Sequence, residues 1–190
     1  MSKEKELSEM TLEELWQLFP ISLVPHDERW PDNYREAEEE ISSLLKNFRV
    51  ERISHIGSTA IKDIWAKNIV DILIEIPKDE DMKAVADRLE NNGYTRMSAD
   101  EKRISLNKGY TKSGFAEKVY HVHIRFSGDN DELYFRDYLN DHPETAGDYE
   151  KLKLGLRKKY EHNRDAYTDA KTDFIRRWTE EAKKEYRGRY

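Results

Sequence analysis

Residues 69–76 have the sequence Ile-Val-Asp-Ile-Leu-Ile-Glu-Ile, and this stretch decides the fold. Side chains alternate along a strand, so Asp71, Leu73 and Glu75 share one face while isoleucines occupy the other. Both faces are otherwise apolar, which is typical of a central strand that is covered on both sides. A carboxylate in such a strand loses hydration and needs a partner. Asp71 is therefore either a ligand-binding group or a structural group bonded to a neighbouring loop.

Further strands and helices are predicted on both sides of this strand. Apolar periodicity and the positions of Gly and Pro predict strands at 21–24, 50–56, 104–106 and 118–126, and helices at 11–19, 30–47, 79–92 and from 131 onward. The last segment is predicted as three helices, broken near Pro143 and Asn163. This order predicts one domain over 1–190, with a mixed α/β core at 1–130 and a helical cap at 131–190.

Composition excludes several classes of protein and site. The 190 residues include no cysteine, so disulfides, zinc–thiolate sites and thiol nucleophiles are excluded, and a cytoplasmic location is predicted. No apolar run is long enough to span a membrane. The net charge of −6 disfavours nucleic acid as a partner. A separate hypothesis is that the basic tail at 183–190 binds nucleic acid. It predicts that the binding weakens steeply as the salt concentration rises.

The charge is unevenly distributed along the chain. Residues 1–150 carry 20 basic and 32 acidic side chains, a net charge of −12, whereas residues 151–190 carry 13 and 7, a net charge of +6. A basic cap on an acidic body indicates either simple attraction between the two surfaces or cations directed at an anionic ligand between them.

The turn Gly57-Ser58-Thr59 follows a predicted strand, and Ser58 lies thirteen residues before Asp71. Glycine permits close backbone approach, and exposed N–H groups with a serine hydroxyl can hold phosphate. Asp71 can position Mg²⁺ or Mn²⁺, which in turn binds phosphate oxygens. The combination of strand, Gly-Ser turn, spacer and Asp-bearing strand resembles the nucleotidyltransferase fold. In that fold Gly-Ser holds the triphosphate and acidic residues hold the metal.

His121 and His123 form a second candidate centre, because they face the same way on a predicted strand with Arg125 beyond them. With Asp71, the two imidazoles match the two-His-one-carboxylate pattern of a transition-metal site. They also suit acid–base catalysis or phosphate binding beside Arg125. A hydrogen-bonded structural pair beneath the cap is the remaining alternative. His55, next to the Gly-Ser turn, is predicted to join the same cluster.

Two helical stripes in the cap mix aromatic and basic side chains. One contains Tyr167, Lys171, Phe174 and Trp178, and the other contains Tyr149, Lys153, Arg157 and Tyr160. A lysine among aromatic residues either extends along them to water or directs its charge into a cleft, where lysine is a usual phosphate ligand. Two such stripes favour a phosphate-binding cleft beneath the cap.

A longer series of motifs resembles the signature of the GrpB family. The motifs are His55-Ile-Gly-Ser-Thr-Ala60, Ala66-Lys67, Ile69-Val-Asp-Ile-Leu73, His121-Val-His123, Phe135-Arg-Asp-Tyr138, His142-Pro143, Tyr149 with Lys153, and Ala166-Tyr-Thr-Asp-Ala-Lys171. The resemblance spans about 12–178 and implies a nucleotidyltransferase-like mixed sheet with flanking helices. GrpB-like domains also occur as extensions of dephospho-coenzyme A kinases, and no reaction is securely attached to the family. The resemblance adds Lys67 to the candidate phosphate ligands.

The sequence departs from the nucleotidyltransferase pattern at one functional position. Leu73 stands where active enzymes carry a second acidic residue. Glu75 lies on the same face of the strand, about 6.6 Å beyond Leu73 at ~3.3 Å per residue. It can replace the missing second acid only if the site is displaced along the strand. Lys62-Asp63 and Asn68 stand where the family often has Pro-Gly and Pro, so the loop shape is expected to differ.

Two functions are consistent with these residues. The first is metal-dependent nucleotidyl or phosphoryl transfer, in which Mg²⁺ or Mn²⁺ is bound by Asp71 with Glu75, His121 or His123. The second is a non-catalytic binding module that has lost this chemistry. Both predict a nucleotide or another phosphorylated small molecule as the ligand. The phosphate-binding residues are predicted to be His55, Gly57, Ser58, Thr59, Lys67, Arg125, Tyr149, Lys153, Tyr167 and Lys171.

Overall fold

The computed structural model describes residues 5–190, so the first four residues of the predicted domain lie outside it. Five strands form one mixed sheet: β1 (Arg52–Ile56), β2 (Val70–Ile76), β3 (Thr95–Ala99), β4 (Arg103–Thr111) and β5 (Gly114–Phe126). Their order is β1-β2-β5-β4-β3. Only β2 and β5 run parallel, while every other neighbouring pair is antiparallel. The decisive stretch is thus an inner strand of the sheet.

In the described residues seven α-helices accompany the sheet: α1 (Leu12–Leu18), α2 (Trp30–Leu44), α3 (Met82–Glu90), α4 (Asp131–Asp141), α5 (Pro143–Tyr160), α6 (Arg164–Asp169) and α7 (Thr172–Glu185). Short 3₁₀ turns occur at Leu7–Glu9 and Ser58–Ala60. Helix α1 begins at the predicted capping box, in which Thr11 and Glu14 each accept a hydrogen bond from the other's backbone N–H. Among residues 5–190, no helix is both long and apolar enough to cross a membrane.

The main core lies on the isoleucine face of β2. Ile72, Ile74 and Ile76 are fully buried there and belong to the same cluster as side chains of α2 and α3. Trp30, at the start of α2, is completely buried, and its Nε1 donates to Oδ1 of Asn68 at 2.8 Å. Asn68 therefore has a defined structural role at a position where the family often has proline.

Helices α4, α5 and α7 form a second core with the segment after β1. Its buried members include Ile61, Phe135, Tyr149 and Ala182. Leu73 of β2 packs in a small separate cluster with Ile56 and Leu133 of α4. The second acidic position of the nucleotidyltransferase pattern is thus filled by an apolar side chain that helps to dock the cap on the sheet.

Three local expectations differ from the structure. Residues 21–24 do not form a strand, and only Val24 makes an isolated bridge to Ala66. Strand β3 was not predicted, because its mostly exposed side chains give little apolar alternation. The cap has four helices instead of three, because a break near Ala170 separates α6 from α7.

Candidate functional site

A cleft of about 850 Å³ lies between the cap and the face of the sheet that carries Asp71. Helices α5, α6 and α7 contribute its far wall. Ten of the fourteen site residues predicted from the sequence line it: Gly57, Ser58, Lys67, Asp71, His121, His123, Tyr149, Lys153, Tyr167 and Lys171. The structure brings these residues together, while their roles in catalysis, metal binding or phosphate binding stay predictions.

Asp71 begins a chain of hydrogen bonds that crosses four elements. Its Oδ1 lies 3.1 Å from Nδ1 of His121, which stands opposite it in the parallel pairing of β2 with β5. Nε2 of His121 lies 2.8 Å from the hydroxyl of Tyr110 on β4. Arg164 of α6 donates to that hydroxyl at 3.1 Å. The chain therefore links the cap to the centre of the sheet.

The protonation states in this chain follow from its surroundings. Burial tends to raise the pKa of Asp71, but the hydrogen bonds from His121 and His123 outweigh it and hold the pKa below its usual range. Burial lowers the pKa of His121. An ionised Asp71 accepts from Nδ1–H of a neutral His121, whose Nε2 then accepts from Tyr110. Both nitrogens of His121 are thus occupied by protein groups.

His123 is held more loosely in the same cleft. Its Nε2 is 3.6 Å from Oδ1 of Asp71, and its Nδ1 is 3.3 Å from the hydroxyl of Ser105 on β4. These contacts place the imidazole beside Asp71, as the sequence predicted for a His pair on one strand face.

Gly57 is required by the close approach of Asp71. Its φ of +72° lies in the left-handed region, which disfavours any residue with a Cβ. A Cβ at position 57 would lie 2.3 Å from Oδ2 of Asp71. The turn that begins at Gly57 is therefore packed directly against the carboxylate, and it places Ser58 at the cleft wall.

Three lysines from different segments of the chain converge on the part of the cleft near Asp71. Lys67 precedes β2, Lys153 lies on α5 and Lys171 lies just before α7. Lys171 Nζ is 4.6 Å from the ring centroid of Tyr167, and Lys153 Nζ is 4.7 Å from that of Tyr149. Lys153 also donates to the carbonyl oxygen of Trp65. Within the described part of the chain, none of the three lysines forms an ion pair with a carboxylate.

The pKa values of the three lysines are lowered, because no ion pair with a carboxylate offsets the cost of burying their charges. Burial lowers the pKa of Lys67 to about 7, and the charges of Lys171 and Arg164 act in the same direction. Burial lowers the pKa of Lys153 to about 7, again with a contribution from Lys171. Burial lowers the pKa of Lys171 to about 8, although Asp71 opposes the shift. The three amines are close enough to repel one another.

His55 and Thr59 lie outside the cleft, in contrast to their predicted role. His55 pairs with Ile72 in the register of β1 and β2, so it faces the main core and stacks on Tyr34 at 4.9 Å. Burial lowers its pKa to about 4. Its Nε2 lies 2.9 Å from the hydroxyl of Thr59, which donates to the Ile69 carbonyl at 3.2 Å. Both residues therefore support the Gly-Ser turn from the side opposite the cleft.

Three other predicted groups are directed to protein partners. Glu75 accepts hydrogen bonds from Arg52 and Asn130 and does not line the cleft. Arg125 is buried near the acidic side chains of Asp129 and Glu132, at 3.7 and 3.6 Å. Arg157, expected on the cleft side of α5, instead donates to the carboxylate of Glu161 and lies outside the lining.

Tyr110 and Arg164 are site residues that the sequence did not reveal. Arg164 lines the cleft, and Tyr110 contacts both Arg164 and His121. Tyr110 lies on β4 of the sheet and Arg164 on α6 of the cap, so the two residues meet only when the cap docks on β4. The basic excess of residues 151–190 was the one available signal for Arg164.

The donor set around Asp71 does not fit a resident divalent cation. Across residues 5–190 there is no group of three or more His, Asp or Glu side chains arranged to hold a metal ion. Leu73 and Glu75 supply no second carboxylate, and His121 has both nitrogens engaged. Mg²⁺ favours several oxygen ligands in octahedral geometry. Binding of Mg²⁺, Mn²⁺ or a transition metal thus stays an untested prediction that this donor set does not favour.

A family model described as GrpB protein matches residues 20–181. The chain belongs to the GrpB family. Glutamate-rich protein GrpB of Alkalihalophilus pseudofirmus is 33% identical over 161 residues, which cover 82% of this chain and 91% of that protein. UPF0157 protein YqkA of Bacillus subtilis is 30% identical over 181 residues, 92% of this chain. The chain spans only 52% of the length of YqkA.

The crystal structure of conserved protein GrpB from Enterococcus faecalis has the same fold. It superposes with a TM-score of 0.74 at 27% identity and covers 87% of this chain and 99% of that one. The predicted α/β fold, with a mixed sheet flanked by helices, is thereby confirmed along with the GrpB resemblance.

Proposed function

We propose that the cleft of this GrpB protein binds a phosphorylated small molecule, such as a nucleotide. The observation that carries the proposal is the convergence of Lys67, Lys153 and Lys171 without carboxylate partners among the described residues. Cations that lose hydration need a compensating anion. Among the described residues Asp71 is the one carboxylate that lines the cleft beside these lysines, and it is engaged with His121, so a ligand anion such as phosphate is the simplest further partner.

The rest of the lining supports a ligand with an organic body. Phe135, Ile175 and Leu23 give apolar surface next to the polar end of the cleft. Pockets of this volume that combine apolar walls with a few convergent polar groups are typical of small-molecule sites. Ser58, in the turn after Gly57, adds a hydroxyl to the lysine end.

Of the two functions predicted from the sequence, binding without transfer is favoured. Leu73 occupies the position of a second metal-binding carboxylate and is buried against the cap. Metal-dependent nucleotidyl or phosphoryl transfer needs such ligands to neutralise the developing charge.

A ligand screen with a matched pair of variants tests the proposal. Nucleoside monophosphates, diphosphates and triphosphates, together with coenzyme A precursors, are assayed by thermal shift and calorimetry. Lys171→Met removes one ammonium group and is expected to weaken binding about tenfold, because a charge-assisted contact contributes ~1.5 kcal/mol or more. Lys184→Met, in the helix α7 that follows Lys171, is the control, since Lys184 pairs with Glu181 at the surface.

Two results would contradict the proposal. One is that no phosphorylated compound raises the melting temperature. The other is that Lys171→Met and Lys184→Met bind the ligand equally well.

A further inference from the structure

The cleft has two ends with different charge balances. Sheet register separates them, because Asp71 and His121 lie at the start of the paired segment of β2 and β5, whereas the lining residue Arg103 stands opposite Arg125 near its end. At the far end the lining cations are neutralised by acidic neighbours: Arg103 by Asp129, Arg176 by Asp173 and Lys183 by Asp131. The end near Asp71 is here named the inner end.

The inner end has an excess of positive charge. Its charged side chains are the cations Lys67, Lys153, Lys171 and Arg164 and a single anion, Asp71. Counted as formal charges, four cations and one carboxylate give +3. Arg164 donates to Tyr110, and among the described residues none of the three ammonium groups forms an ion pair, although Asp71 acts on the pKa of Lys171 and Glu150 on that of Lys153.

The carboxylate at the inner end has little capacity left for a metal. Oδ1 of Asp71 is 3.1 Å from His121 and 3.6 Å from His123. Oδ2 faces Gly57 so closely that a Cβ there would lie 2.3 Å away. A divalent cation would also be repelled by the surrounding ammonium groups, and this repulsion is strong in a partly buried site.

We propose that the inner end binds the diphosphate or triphosphate group of its ligand directly through the lysine ammonium groups, without a bridging divalent cation. This inference rests on the proposed function and specifies its ligand chemistry. A diphosphate carries a charge of about −3 at neutral pH, which matches the excess that the inner end has when all three lysines are protonated. Lysines here supply the neutralisation that a metal ion supplies in the related transferases.

Calorimetric titrations of the wild-type protein test the inference with simple probes. Pyrophosphate and tripolyphosphate are titrated first in EDTA and then with excess Mg²⁺. Binding is expected in EDTA and is expected to weaken several-fold with Mg²⁺, because chelation removes the charge that the lysines recognise. Binding that requires Mg²⁺, or that Mg²⁺ strengthens tenfold, would overturn the inference while leaving the proposed function intact. Absence of binding by any phosphate compound in either buffer would instead contradict the proposed function itself.

The variant Asp71→Asn gives an independent test. If Asp71 held a metal, the amide would abolish phosphate binding. In the absence of a metal, the amide keeps the shape of the side chain and raises the net charge by one, so tripolyphosphate is expected to bind more tightly in EDTA. Asp79→Asn is the control, because Asp79 pairs with Arg49 at the surface. A tenfold loss of affinity in folded Asp71→Asn would overturn the inference, and the wild-type titration decides the matter if the variant does not fold.

Discussion

The two carboxylates of β2 share one face of the strand and differ in how their charge is matched. Glu75 is 1% exposed and accepts hydrogen bonds from Arg52 at 2.5 Å, Asn130 at 2.9 Å and the Gly128 N–H at 3.3 Å. Asp71 is 25% exposed, lies against Gly57, has its polar contacts with the imidazoles of His121 and His123, and faces lysines that form no ion pair among the described residues. The comparison indicates that a completed set of donors marks a structural carboxylate, whereas the local charge imbalance supports the proposed ligand site.

Substitution at Gly57 is expected to have the largest effect on stability and on phosphate binding near Asp71. In Gly57→Ala, left-handed strain and the collision with Asp71 should together cost about 3 kcal/mol of unfolding free energy and abolish phosphate binding. Gly93→Ala is the matched control, because Gly93 also has a positive φ but open space around its Cβ position, and it should cost about 1 kcal/mol. Urea denaturation measures both values. Equal losses in the two variants would show that the contact with Asp71 has no energetic role.

At the other end of β2, the substitution Glu75→Ala is expected to destabilise the fold without changing the affinity for phosphate. Arg52 and Asn130 would lose their acceptor, at a cost of about 2 kcal/mol. The value lies below that for fully buried pairs because the Arg52 side chain is 36% exposed and can be rehydrated. Glu117→Ala, at an exposed position of β5, serves as the control in the same urea assay. A loss of phosphate affinity in Glu75→Ala would mean that the two ends are not independent.

The smallest predicted effect is a pH dependence of phosphate binding. Raising the pH from 7.5 to 9.5 removes the remaining protons from lysines whose pKa values are about 7 to 8, so the affinity for a nucleoside diphosphate is expected to fall several-fold. The terminal phosphate of such an ester, with a last pKa of about 6, keeps its charge in this interval. The other titratable groups that face the lysines are Asp71, His121, His123, Tyr149, Glu150, Arg164 and Tyr167. Calorimetry at constant ionic strength measures the change, and a constant or rising affinity would contradict it.

The stability of the free protein should change in the opposite direction. A lysine with a lowered pKa in the folded state binds fewer protons than in the unfolded chain at a pH between the two values, so stability increases as pH rises from about 7 towards 10. Lys67→Met should reduce both trends. Denaturation at several pH values checks the sign for the free protein.

Strand alternation was enough to predict the face that carries Asp71, and the same rule grouped His121 with His123. It did not give the register that places Asp71 opposite His121, because the pairing of β2 with β5 joins segments fifty residues apart. Alternation applied to β1 would have placed His55 on the core face. Proximity in sequence to the Gly-Ser turn was a misleading guide for this residue.

The cap stripes were partly predictable. Tyr149 and Lys153 lie on one helix and face the cleft as their spacing predicted. Tyr167 and Lys171 also face it, but the predicted single helix is broken between them. The contact of Arg164 with Tyr110 depends on how the cap docks against the β4–β5 hairpin, and no local pattern encodes that orientation.

The separate cores of the sheet and the cap have a consequence for the order of assembly. The main core is formed by residues between Trp30 and Ile124, before the cap begins in the chain. The bond chain from Asp71 to Arg164 can close only after α6 has reached the hairpin. The sheet can therefore acquire its own core without the cap, whereas the candidate cleft is complete only when the cap is docked.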